Sequence, residues 1–146
     1  MKKLILLTLL VLFTAAASFA QKESKEEPLL SARGSAQAYL AEDNIIYFYD
    51  GNAVAYLESA NDNYHIYGFN GKHLGWLKSG TVYDNEGHLV GGLSSSNSMA
   101  IVIEPFKGMK RITPFKRMKD IAPTPPWFSS TSSSISLEAL LKAGIN

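Results

Sequence analysis

The groups in this chain that could do chemistry are few. Three histidines, His65, His73 and His88, can bind metals or titrate near neutral pH. They stand at three different positions of the internal repeat described below, so repeat symmetry does not bring them to one point and no metal centre is expected. Asp50, Asp84 and Glu86 could be paired for glycoside hydrolysis. Their neighbourhoods are turn sequences, which call for such residues without any catalysis. Serines are plentiful, but they lie in spacers and none sits in a G-x-S-x-G elbow; there is no cysteine. No phosphate-cradling G-x-x-x-x-G-K-[ST] is present either. The reading is of a non-enzymatic chain without a cofactor, and an unrecognised hydrolase ranks last among the alternatives.

One surface feature stands out. Lys107, Lys110, Arg111, Lys116, Arg117 and Lys119 crowd into residues 105–121 against Asp120 alone, in a chain whose formal net charge is only +1. The rest of the mature chain is therefore acidic. These six cations, interleaved with Phe and Met, are candidates for holding a polyanion such as a lipopolysaccharide phosphate or an anionic lipid. The competing expectation is that they pair with the acidic body. Trp127, after two prolines, is the candidate aromatic contact. Tyr39, Tyr56 and Trp76 could stack on sugars or bases, but core packing accounts for them.

The elements that carry these groups come from two repeats. A twelve-residue unit occurs four times: LLSARGSAQAYL (29–40), IYFYDGNAVAYL (46–57), IYGFNGKHLGWL (66–77) and VYDNEGHLVGGL (82–93). A unit of this length makes one β-hairpin, which cannot bury its own apolar face, so the copies must pack together. Asp50-Gly51 and Asn70-Gly71 predict type I′ turns, and Gly87 closes a longer one. After each Gly the strand alternates with period two. One face carries Ala38, Ala55, Gly75 and Gly91 with Leu40, Leu57, Leu77 and Leu93. The other carries Tyr39, Tyr56 and Trp76 with Val54, Leu74 and Val90.

The second repeat is PFKGMKRI (105–112) and PFKRMKDI (114–121), with a period of nine. Within it Phe106, Met109, Ile112, Phe115, Met118 and Ile121 fall every third residue, the period of polyproline II. The expectation is an extended arm over 105–128 that lays this apolar stripe into a groove of the β-body and turns its lysines to water. A Ser/Thr spacer then leads to Ser136, which can cap a short helix over 137–143 ended by Gly144. The fold class expected is mainly β: four hairpins around a pseudo-four-fold centre (29–104), the arm (105–128), and the spacer with its short C-terminal helix (129–146), all one globular unit.

At the other end, Lys2 and Lys3, the apolar run Leu4–Phe13 and Ser18-Phe19-Ala20 read as a cleaved signal peptide, 1–20. Residues 21–28 read as a disordered leader. The chain is thus expected to be secreted or periplasmic, with no transmembrane segment after cleavage and no nucleic-acid partner. Its partner is expected to be an anionic envelope component or a protein. The function expected is binding or envelope interaction, with a structural or assembly subunit as one alternative and a polyanion binder as the other.

Ala55-Tyr56-Leu57, Ile66-Tyr67, Gly71-Lys72-His73-Leu74-Gly75-Trp76, Pro105-Phe106-Lys107-Gly108, Pro114-Phe115-Lys116 and Ser136-Leu137-Glu138 together resemble the bacterial four-fold β-flower family over roughly residues 36–141. That resemblance implies a small β-fold with hairpins in approximate four-fold arrangement. It implies no activity and so carries over no functional residue. The signal peptide is one departure from the family's pattern. The last repeat, GHLVGG, is the other, since it lacks the ring the other copies carry.

Overall fold

The structure is a computed structural model that describes residues 25–97 and 101–145; the expected signal peptide lies outside the described residues. Eight antiparallel strands close into a barrel in simple sequence order: β1 (Glu27–Ser31), β2 (Ala36–Leu40), β3 (Ile45–Phe48), β4 (Ala53–Ala60), β5 (Asn63–Gly68), β6 (His73–Lys78), β7 (Thr81–Tyr83) and β8 (Leu89–Leu93). β1 pairs with β8, so no edge strand is left open. β1 begins at Glu27, inside the stretch expected to be an unstructured leader. Each twelve-residue unit is one hairpin, so four hairpins make the barrel.

The four hairpin turns share one geometry: those at Gly51 and Gly71 are not the type I′ expected, and the one at Gly87 is no longer than the rest. In each, an amide three residues on bonds back (Gly51 N–H to Phe48 O at 3.0 Å, Gly71 N–H to Gly68 O at 3.0 Å), and the strand closes one residue later (Phe48 N–H to Asn52 O at 2.9 Å). Only the glycine is left-handed: Gly34, Gly51, Gly71 and Gly87 have φ between 83° and 90°, while Asp50 and Asn70 do not share it. This is a three-residue loop with its αL residue last, and it demands Gly at one place rather than two. A two-residue loop with both φ positive does occur, at Ser79-Gly80 between β6 and β7.

The alternation also breaks at one repeated place. Ile46 pairs with Ala55 but Tyr47 with Ala53, so Val54 is an extra residue; Leu74 and Val90 are extra in the same way. These bulges turn Val54, Leu74 and Val90 inward, against the expectation that they share the face of Tyr56 and Trp76. The interior core therefore draws on all eight strands: Leu29, Ala38, Ile46, Ala55, Leu57, Ile66, Leu77 and Val82 join the three bulge residues.

The small residues next to the bulges are forced by crowding. A Cβ on Gly75 would lie 2.1 Å from Tyr83 O, and one on Gly91 2.2 Å from Leu30 O.

Helix α1 (Leu137–Lys142) caps as expected, with Ser136 Oγ accepting from Ala139 N–H at 3.2 Å. Its stripe of Leu137, Leu140 and Leu141 enters the interior core. Gly144 follows it onto Gly68, and Asn70 Nδ2 donates to Ala143 O at 2.8 Å. The helix thus stops the barrel at the end where the four turns gather. A helix this short would melt alone; burying three leucines, at about 1.5–3 kcal/mol each, holds it in place.

Candidate interaction surface

The outer wall carries rings at three of the four junctions between hairpins. Tyr39 and Tyr47 stack across β2–β3 with centroids 5.6 Å apart, and Tyr56 and Tyr67 across β4–β5 at 5.9 Å. Trp76 pairs with Tyr83 across β6–β7. At the fourth junction Leu30 faces Gly92, the departure visible in the last repeat. There a single 3₁₀ turn (Ser94–Ser96) supplies the cover: Ser96 Oγ donates to Leu93 O at 2.7 Å and packs on Gly92.

The arm runs around this wall at the turn end without regular helix or strand, and its period of nine matches one hairpin per repeat. Arg111, Asp120 and Ser129 N–H donate to the carbonyls of Gly51, Gly71 and Gly87 at 2.9, 2.8 and 2.9 Å. Gly108 and Arg117 N–H donate to Tyr49 O and Phe69 O at 2.7 and 2.9 Å; the next residue in that phase, Pro126, has no N–H to give. The carbonyls of Met109, Met118 and Trp127 rest where a Cβ of Gly51, Gly71 or Gly87 would be, 2.0, 2.0 and 2.4 Å away. The turn glycines are therefore needed twice, for a left-handed φ and for the backbone that lies on them. Gly34, by contrast, has nothing within 4 Å among the described residues.

The orientation of the arm is the reverse of the one expected. Its cations face the barrel. Lys107 Nζ lies 4.8 Å from the Tyr39 ring and 3.3 Å from Glu26; Lys110 Nζ lies 4.7 Å from Tyr47 and 2.6 Å from Glu26. Nine residues on, Lys116 Nζ lies 4.0 Å from Tyr56, and Lys119 Nζ 5.4 Å from Tyr67 and 2.6 Å from Glu58. Lys107 also meets Glu104 at 3.2 Å. The apolar stripe faces water: Phe106, Met109, Ile112, Phe115, Met118 and Ile121 are at least 90% exposed.

The physical reason lies in the wall. Tyrosine faces attract cations, lysine stems supply the apolar cover the rings need, and ammonium groups neutralise carboxylates that an apolar residue would leave unpaired. Burial pushes the Glu26 carboxyl up, but its two lysines outweigh that and hold it below 4.5. Of the six candidate cations, only Arg111 and Arg117 have exposed side chains with neither an ion pair nor a ring contact among the described residues. Trp127 is 92% exposed, as its position after two prolines suggested.

The histidines divide differently from the expectation. His65 and His73, on adjacent strands, do converge, Nδ1 to Nε2 at 2.9 Å. Asn85 holds His73 from the other side, its Nδ2 donating to His73 O at 2.9 Å and its Oδ1 lying 2.7 Å from His73 Nδ1. Burial keeps both rings below the usual imidazole pKa. His88 sits apart, 3.7 Å from Asp84 and 3.4 Å from Glu86. No cluster of three metal-ligating side chains occurs among the described residues. Asp84, His88 and Ser133 adjoin, but Ser133 Oγ donates straight to the Asp84 carboxylate and not to the imidazole, so the three do not form the serine–histidine–aspartate relay. Burial raises the Asp84 carboxyl, yet Ser133 and the amides of His88 and Glu86 bring it below 3.8. Asp50 serves its turn, accepting from Asn52 N–H at 2.9 Å. A groove of about 610 Å³ between hairpin one and the spacer is lined by Arg33, Gln37 and several serines and holds no carboxylate or histidine.

Residue reading missed the partners of the arm: the Tyr39/Tyr47 and Tyr56/Tyr67 pairs and Glu26, Glu58 and Glu104. The available signal was the shared count, with lysines at the same two places in each nine-residue unit, and rings at the eleventh place of repeat copies one to three and the second place of copies two to four.

Comparison of the whole chain gives its class but no activity. No curated protein and no solved structure matches it. The family model of the 4-fold beta flower proteins matches residues 27–141, from the first strand to the plug helix, and the chain belongs to that family.

Proposed function

We propose that this chain is a non-enzymatic interaction module, secreted or periplasmic after loss of residues 1–20, whose working surface is the outward row of the arm. The observation that carries the reading is the row itself. Counted with its in-phase neighbours it comprises Ile103, Phe106, Met109, Ile112, Phe115, Met118, Ile121 and Trp127, every one 85–97% exposed. That is on the order of 1,000 Å² of apolar side chain held in water, more than a lone soluble domain ordinarily shows. The barrel spends five arm amides and four lysines on holding the row outward, which favours a partner for it. A polyanion reading through the arm narrows to Arg111 and Arg117, since the lysines are engaged with the wall.

Capture from an envelope extract tests this reading. The protein from residue 21 on is compared with its Phe106→Asp/Phe115→Asp variant. Retention of an envelope component by the first and its loss from the second is expected; equal retention by both moves the working surface elsewhere. A structural or assembly subunit would instead register as self-association that the same variant abolishes.

A further inference from the structure

Resting on that reading of the row, we infer that its partner is the surface of an anionic lipid bilayer, with the row among the acyl chains at the headgroup boundary and Arg111 and Arg117 on lipid phosphates. Four observations point the same way.

The first is charge. Arg111 and Arg117 lie on the face of the arm next to the row, exposed and without an ion pair among the described residues. Lys116 has a ring but no carboxylate among the described residues. Asp120, also exposed, is the one carboxylate in that phase of residues 105–121, so the two arginines leave the face net positive, and an anionic layer neutralises them.

The second is spacing. The row residues recur every third position, and in polyproline II geometry, at about 3.1 Å per residue, residues three apart stand roughly 9 Å from one another. Such separated wedges leave gaps that a rigid protein face would have to fill with matched side chains, while acyl chains fill them by adapting.

The third is the backbone. An extended segment brings peptide N–H groups to the apolar layer at a cost unless they are already bonded. Here Gly108, Arg111, Arg117, Asp120 and Ser129 N–H are bonded to the hairpins, and the row's own amides between them stay at the hydrated headgroup boundary, where water and phosphate oxygens accept from them. Pro105, Pro114, Pro123, Pro125 and Pro126 have no N–H.

The fourth is the row's composition. Aromatic and branched apolar side chains beside arginines, with an indole at one end, are what interfacial segments present to lipid. The contact proposed is peripheral, made by the arm's row alone; no helix among the described residues is long and apolar enough to cross a membrane.

Flotation with vesicles tests this. The protein from residue 21 on, which carries every strand, the arm and α1, is mixed with phosphatidylcholine vesicles with and without phosphatidylglycerol. Binding is expected with phosphatidylglycerol and should weaken with salt. Arg111→Gln with Arg117→Gln should reduce it roughly thirtyfold at low salt, two surface cations' worth. Phe106→Asp with Phe115→Asp should abolish it. Both phenylalanines are over 90% exposed, so these variants keep the wild-type melting curve, which is checked first.

Trp76 is buried and Trp127 exposed, so a lipid-induced blue shift of emission that disappears in Trp127→Phe reports the row entering the apolar layer. Three results would overturn the inference: no binding to phosphatidylglycerol vesicles by the folded protein, binding that the phenylalanine variant leaves intact, or a dimer that withdraws Trp127 from water without lipid. If vesicles are not bound yet envelope capture still depends on Phe106 and Phe115, only the lipid inference falls and the interaction module stands.

Discussion

The arm covers hairpins two and three in one way and hairpin four in another. Over the first two, the arm brings the cations and the barrel brings the rings, Lys107 and Lys110 on Tyr39 and Tyr47, then Lys116 and Lys119 on Tyr56 and Tyr67. Over the fourth the roles are exchanged. The residue nine after Lys119 is Phe128, whose ring packs on Tyr83 at 4.8 Å and on Trp76 at 6.2 Å, and the cation comes from the barrel, with Lys78 Nζ 4.8 Å from the Phe128 ring. What stays constant is the backbone peg on the turn glycine and a covered ring pair. The cover itself can be a cation on rings or a ring under a cation.

If the peg is the common element, glycines that carry one must differ from the glycine that does not. Gly71→Ala and Gly34→Ala both place an alanine at a φ near 90° or 83°, a cost of about 1–2 kcal/mol. Only Gly71→Ala also drives a Cβ into Met118 O, and its loss in chemical denaturation should reach about 3 kcal/mol. Equal losses would mean the arm is not seated on the turns.

The two kinds of cover should differ next. Phe128→Ala removes a half-buried ring between Trp76 and Tyr83 and is expected to cost about 2 kcal/mol. Lys116→Ala removes one exposed cation–ring contact, about 0.5–1 kcal/mol. A reversal of that order would make the lysines the stronger fastening.

Acid should act on the wall in two stages. His65 and His73 titrate below their ordinary 6.5 because burial disfavours their charged forms. Their contribution is complete above 6.5 and is lost as pH falls through their folded pKa values. Glu26 and Asp84, depressed below 4.5 and 3.8, contribute above those values and lose it on further acidification. Melting temperature should fall in both ranges, and His65→Gln should flatten the upper stage alone.

The smallest effect expected is the most telling about orientation. Phe115→Ser should change stability by less than about 0.5 kcal/mol, because the ring touches water on nearly all sides. A stripe buried in a groove would lose several times that.

The hairpins, the plug helix with its Ser136 cap, and the period-three arm were legible because each follows a local rule of spacing or capping. Val54, Leu74 and Val90 were misplaced because a bulge adds a residue without changing the composition of the strand. Asp50-Gly51 reads as a type I′ pair, although the third loop residue decides the turn. The arm's inversion was illegible for a different reason. Hydropathy ranks Phe and Ile for the inside, and nothing within 105–121 reveals that the wall it meets is built of tyrosine faces and carboxylates. Those residues, Tyr39, Tyr47 and Glu26 among them, are local to other repeats, and their sum exists only once the barrel closes.

Amide hydrogen exchange along the arm tests the central claim most directly. The account predicts slow exchange at Gly108, Arg111, Arg117, Asp120 and Ser129, each bonded to a hairpin carbonyl, and fast exchange at Met109, Ile112, Met118 and Ile121 between them. Uniformly fast exchange from 105 to 129 would contradict it, as would protection at the row residues in place of the pegged amides.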